Sequence, residues 1–226
     1  MEYLPSYADS RLISSCIFCG ARTATRDHCP SRILLDEPYP ANLPVVPACS
    51  TCNTGFSLDE QYFACLVECA RTGSPNDVER PKIRRILEAN PALAGKLHNA
   101  RTLGSDGGIL FSTETARIQA VVLKLAQGHT AYEVSEIVRH NPSRILIIPL
   151  HLLTPEAREH FETPPSSAVW PEVGSRAMQR IVLQEGLEWV EVQKGRYRYL
   201  VAAEGAVIVR IVIGEYLGCE VTWNDE

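Results

Sequence analysis

Residues 16–53 read CIFCGARTATRDHCPSRILLDEPYPANLPVVPACSTCN. The stretch opens with one Cys-x-x-Cys pair, Cys16 and Cys19, and closes with a second, Cys49 and Cys52. Two residues between the cysteines let the backbone curl so that both sulfurs reach one ion, and Gly20 directly after the first pair suits the tight turn this needs. Four thiolates from two such pairs make a closed tetrahedral site for structural zinc. The alternative is two pairs of buried free thiols.

The rest of the composition agrees with a folded chain in a reducing compartment. Of eight cysteines, seven lie between Cys16 and Cys69 and only Cys219 stands apart. The N-terminal MEYLPSYADSRLISS has no basic start followed by an apolar stretch, and no apolar run approaches the roughly 20 residues of a membrane span. The expected location is therefore cytoplasmic, where cysteines act as metal ligands or buried thiols more than as disulfides. Hydrophobic residues make up 45% and charged residues 22%, so the chain can build a core. Net charge is −5, the wrong sign for gripping long duplex nucleic acid over a wide surface.

Between the knuckles stand Arg26-Asp27-His28, then Pro30, then Asn42-Leu43, and Asn53 follows the last cysteine directly. This order resembles the HNH endonuclease family in its CxxC…DH…N…CxxCN form, over residues 13–66, about a quarter of the chain. The resemblance implies a ββα-metal unit: a hairpin carrying Asp27 and His28, and a helix starting at the second knuckle. It implies His28 as general base, Asp27 and Asn53 as oxygen ligands of a catalytic Mg²⁺ or Mn²⁺, and Asn42 as a brace that orients the histidine. Zinc on Cys16, Cys19, Cys49 and Cys52 would be scaffold, since four thiolates leave no open position. Many family members carry a cation three residues after the final Asn or His. Here that position is Phe56, with Asp59 and Glu60 beyond, so Arg26 and Arg32 are left as the candidate phosphate contacts. Each residue also has a plain reading: Asp27-His28 as a turn, Asn42 as a turn residue, Asn53 as a helix N-terminal residue, Glu60 as an exposed acid.

Working outward, Leu58, Tyr62, Cys65, Leu66 and Cys69 fall on one face of a helix over 51–71, which makes Cys65 and Cys69 core thiols. Cys29 is either a packing residue or a peripheral thiol. Ile83, Ile86 and Leu87 give a second amphipathic helix, stopped at Asn90-Pro91. LGSDGGIL, with Asp106 among its glycines, reads as a turn. A helix from Ser112 or Thr113 to Gly128 buries Ile118, Val121, Val122 and Leu125, and a further helix is expected over 131–140. RILIIPL (144–150) reads as a buried strand, and Thr154-Pro155-Glu156 as a helix cap. Residues 175–223 read mainly as strand, and the runs from 187 on, punctuated at Lys194-Gly195 and Glu204-Gly205, read as an antiparallel meander. His98, His129, His140, His151 and His160 show no ligand spacing.

The fold class expected is α+β: an N-terminal zinc-stapled ββα-metal unit over 1–75, then a helical region and an antiparallel sheet over 76–226 of unknown role. The expected function is a metal-dependent endonuclease that hydrolyses nucleic-acid phosphodiesters, DNA ahead of RNA. Its expected partners are nucleic acid and a protein that delivers it, with no membrane. The alternative is a non-catalytic zinc module for protein association, which the acidic charge and the missing cation favour.

Overall fold

The computed structural model describes residues 4–105, 107–165, 171–184, 187–203 and 205–224. Asp106 and Glu204, assigned above to turns, lie outside them. The chain groups into two compact units, residues 1–55 with 122–226, and residues 56–121. This division differs from one at residue 75, because the N-terminal cysteine segment and the C-terminal sheet share one unit.

In the first unit, strands β1 (Thr25–His28) and β2 (Val45–Ala48) form an antiparallel pair. Helix α1 (Ser50–Gly55) follows the second knuckle. The single helix expected over 51–71 is broken at Phe56, and α2 (Ser57–Thr72) begins the second unit.

The second unit holds α2, α3 (Pro81–Ala89), α4 (Pro91–Ala100) and a hairpin of β3 (Arg101–Leu103) with β4 (Ile109–Phe111). Residues Tyr62 to Cys69 of α2 are all buried, including Glu68, which pairs with Arg80 at 3.2 Å and Arg71 at 3.1 Å. Cys65 and Cys69 are core thiols as expected, and burial pushes each up to about 12. Leu58 corrects the expected face: it is 70% exposed. Asn90 ends α3 and starts α4, its side chain accepting from the Leu93 N–H at 3.0 Å. Pro91 follows at the first helical position, where a missing N–H costs nothing.

Helix α5 (Thr115–Val134) runs into the first unit from Val122 onward. Ile118, Val121, Val122 and Leu125 are buried as their spacing required. Two expectations fail here. The helix does not stop at Gly128, and residues 135–143 are not helical. Gly128 is a point of close packing: a Cβ there would sit 2.6 Å from the Cys29 Sγ. The chain leaves the helix at Ser135, which has a positive φ of 59°.

The remaining elements are β5 (Arg144–Pro149), α6 (Pro155–Glu162), α7 (Arg176–Gln184), β6 (Val190–Gln193), β7 (Tyr197–Ala203), β8 (Ala206–Ile213) and β9 (Leu217–Asn224); α7 corrects the reading of 175–223 as mainly strand, since its start is helical. The sheet order is β5-β9-β8-β7-β6, so β6 to β9 are the expected meander and β5 pairs with β9 at its edge. At that edge β5 is only half-buried. The run AVIVRIVI does not alternate because both faces of β8 are covered. Tyr197 and Tyr199 face α5, where the His129 Nε2 lies 2.7 Å from the Tyr197 hydroxyl and the Tyr199 hydroxyl donates to Glu133 at 2.5 Å. Arg198 and Val212 face α6, through Glu162 and Phe161. Arg210 donates to the carbonyls of His160, Phe161 and Thr163, closing the C-terminal end of α6 as a helix end requires. Thr154 caps the other end, accepting from the Ala157 N–H at 3.2 Å.

An alanine in mid-helix normally gains about 1 kcal/mol over glycine. At position 128 the overlap with buried Cys29 outweighs it, so Gly128→Ala is expected to lose about 1–3 kcal/mol in urea denaturation. Adding Cys29→Ala should recover most of the loss. His129 is wholly buried, and burial lowers its pKa from 6.5 to about 3. The unfolded chain therefore binds a proton first as pH falls. His129's contribution is intact above pH 6.5 and is lost progressively between 6.5 and about 3. The urea midpoint should fall over that window, and less steeply in His129→Gln.

Candidate metal centre and adjoining strand

The four expected ligands converge. The sulfurs of Cys16, Cys19, Cys49 and Cys52 all lie within 4.8 Å of one another, a spacing that one metal ion such as zinc can bridge. Backbone geometry builds the first knuckle: the Gly20 N–H donates to the Cys16 carbonyl at 2.9 Å, and the Cys16 N–H to the Ala21 carbonyl at 2.9 Å. Gly20 has φ +81°, a conformation that excludes most side chains. The knuckles are joined through β2, where the Ile17 N–H donates to the Pro47 carbonyl at 3.1 Å. In the second knuckle the Cys52 N–H points at the Cys49 Sγ, 3.4 Å away.

The electrostatics of the thiols suit a cation. Burial works against a Cys16 thiolate, but backbone N–H groups of Cys49, Cys19 and Phe18 and the Cys19 thiol outweigh it, bringing Cys16 down to about 6. Burial and the crowding thiols of Cys19, Cys49 and Cys16 hold Cys52 in its protonated form. A metal ion is what would make four thiolates compatible at this spacing.

β1 and β2 pair in the register Thr25↔Ala48, Arg26↔Pro47, Asp27↔Val46 and His28↔Val45, and α1 lies against β1. Asp27, His28 and Asn53 are thereby carried on two adjacent elements. Asn53 is half-buried, its N–H donating to the Cys49 carbonyl at 3.0 Å. Asn42 is exposed in the turn before β2. Arg26 is exposed on β1, and Arg32 is exposed with its guanidinium 5.4 Å from the Tyr39 ring centre. Glu60 is half-buried in the first turn of α2.

His28 is half-buried, and its pKa lies below the usual 6.5. Burial is the main cause; the charges of Arg32 and Lys124 add to it and Asp27 opposes. Asp27 is 7% exposed, and its Oδ2 is 2.9 Å from the ammonium of Lys124, itself buried. Lys124 also donates to the Ser31 hydroxyl at 3.0 Å. Cys29 proves to be a packing residue: its Sγ sits on the Leu125 carbonyl at 3.3 Å and against Gly128.

Two residues of this centre were not visible in the motif. Lys124 comes from α5, and its one signal is a lysine inside the apolar run Val121-Val122-Leu123-Lys124-Leu125. Arg139 donates to the Ser15 hydroxyl at 2.7 Å and the Cys16 carbonyl at 2.8 Å, with its guanidinium over Gly20. No protein family, curated protein or solved structure matches this chain.

Metal analysis of the purified protein is expected to find one zinc per chain, lost in Cys49→Ser. Arg139 brings positive charge beside a site whose zinc-bound form is dianionic. Arg139→Met should weaken zinc retention by about 10–100-fold against a competing chelator. Unchanged retention would show that Arg139 serves the surface loop only.

Proposed function

We propose that the chain is a metal-dependent endonuclease of the HNH type that hydrolyses phosphodiester bonds of nucleic acid, with DNA favoured. The observation that carries this reading is the order of parts about one four-sulfur cluster: a strand bearing Asp27-His28, its antiparallel partner, and a short helix bearing Asn53 that lies against the first strand. That is the strand-strand-helix order of a ββα-metal unit. A six-residue helix is about 9 Å long, close to the roughly 10 Å of strand from Thr25 to His28.

The donor types on the two elements fit a hard divalent cation such as Mg²⁺ or Mn²⁺, since Asp27 and Asn53 both offer oxygen. Bound there, such an ion supplies positive charge for the scissile phosphate and the departing 3′ oxygen. The protein's own chemistry falls to His28. Its free-base imidazole takes the proton from a water whose oxygen attacks phosphorus, while the bond from phosphorus to the 3′ oxygen breaks. The family resemblance gives Asn42 the role of a brace for the loop before β2, and Arg26 and Arg32 are exposed cations beside the strand, suited to flanking phosphates. The overall charge of −5 argues for a delivering protein partner or a short or single-stranded target.

One observation favours the second reading, a zinc module for protein association. Asp27 is buried and ion-paired with Lys124, which is also how a purely structural aspartate behaves.

Plasmid and single-stranded DNA incubated with Mg²⁺ or Mn²⁺ should be cut. His28→Ala should reduce cutting by about 10²–10⁴-fold at unchanged zinc content. Cutting that survives His28→Ala removes His28 from the chemistry, and a zinc-loaded protein that cuts no nucleic acid supports the association module.

A further inference from the structure

Asp27 already has a cation. The Lys124 ammonium lies 2.9 Å from its Oδ2 and 3.0 Å from the Ser31 hydroxyl, and Lys124 and Ser31 are both buried. The side chains of Lys124 and Asp27 are 3% and 10% exposed, so water screens the pair weakly. Lys124 also sits on the helix that packs behind the strand, through Leu125 and Gly128 against Cys29, so its backbone is fixed by contacts independent of the ion pair.

Resting on the nuclease reading, we propose that Lys124 is a positioning residue that makes divalent-ion binding at Asp27 conditional on the nucleic-acid phosphate. The reasoning is charge counting at short range. Asp27 and Lys124 together are neutral, and Asn53 brings no charge. Arg26 and Arg32, the nearby exposed cations, add further positive potential. A divalent ion approaching the protein alone meets an ammonium beside its one anionic ligand. A phosphodiester brings the missing negative charge, and the ion then binds between two anions. Lys124 holds the carboxylate in place meanwhile, so the ligand is set before the ion arrives. By reciprocity the ion must tighten nucleic-acid binding by the same factor as nucleic acid tightens ion binding.

The test is Mn²⁺ affinity of the zinc-loaded protein, read by electron paramagnetic resonance of the free ion, with and without a single-stranded DNA oligonucleotide. In the wild type, DNA is expected to tighten Mn²⁺ binding by about tenfold or more. In Lys124→Gln, whose amide can still donate to Asp27 and Ser31 without charge, Mn²⁺ should bind about tenfold tighter in the absence of DNA. Lys124→Arg should restore weak binding, and Asp27→Asn should abolish the gain in the Lys124→Gln background. Lys124→Gln protein that binds Mn²⁺ no better than wild type overturns the proposal. Should that variant fail to fold, the wild-type comparison decides alone, and equal Mn²⁺ affinity with and without DNA overturns it. Failure of the nuclease reading shows differently: the wild type cuts no DNA, while a Mn²⁺ gain in Lys124→Gln that depends on Asp27 still stands.

Discussion

Four sulfur atoms within 4.8 Å of one another can share one cation. Without one, each thiolate raises the cost of the next, and Cys52 keeps its proton. With one, the free energy of binding becomes folding free energy for the segment that supplies the ligands. Here that segment contains two four-residue strands, a six-residue helix and long connections. Elements so short do not persist on their own in water. A metal held by the four sulfurs would join the start of the segment at Cys16 to the helix that follows Cys49, and with it would fix the elements that carry Asp27, His28 and Asn53.

The second constraint is α5, whose residues from Val122 on back the same segment. Ala131 and Tyr132 pack with Ile17 and Val46, Gly128 admits Cys29, and Lys124 meets Asp27. Farther along, His129 and Glu133 meet Tyr197 and Tyr199 of the sheet. The knuckle segment and the sheet therefore share one helix, which is why a unit recognisable in 38 residues is completed by residues nearly 100 positions away.

The parts legible in the sequence are those whose cause is local. The two knuckles, the Asn90-Pro91 boundary, the Thr154 cap and the strand meander each follow from a spacing, a missing N–H or a β-branched run. The parts that were not legible depend on what packs from elsewhere. Gly128 reads as a helix stop, yet it is a contact surface for Cys29, and nothing local distinguishes these uses. The region after Val134 has helical composition, but Ser135 takes a positive φ and Arg139 is drawn off to the first knuckle. Lys124 shows only as a charge in an apolar run, and its partner lies on a strand far back in the chain.

On the proposed reading, the centre divides the work between a soft donor set of four cysteines that would hold the fold and a hard donor pair, Asp27 and Asn53, that would face phosphate. The division requires the zinc to be saturated by sulfur and to leave His28 free. Zinc K-edge X-ray absorption on the purified protein tests this most directly. Four sulfur scatterers at about 2.3 Å are the result the account requires. A shell in which nitrogen or oxygen replaces sulfur would contradict it, because a knuckle would then be open and the imidazole of His28 a candidate for the vacant position.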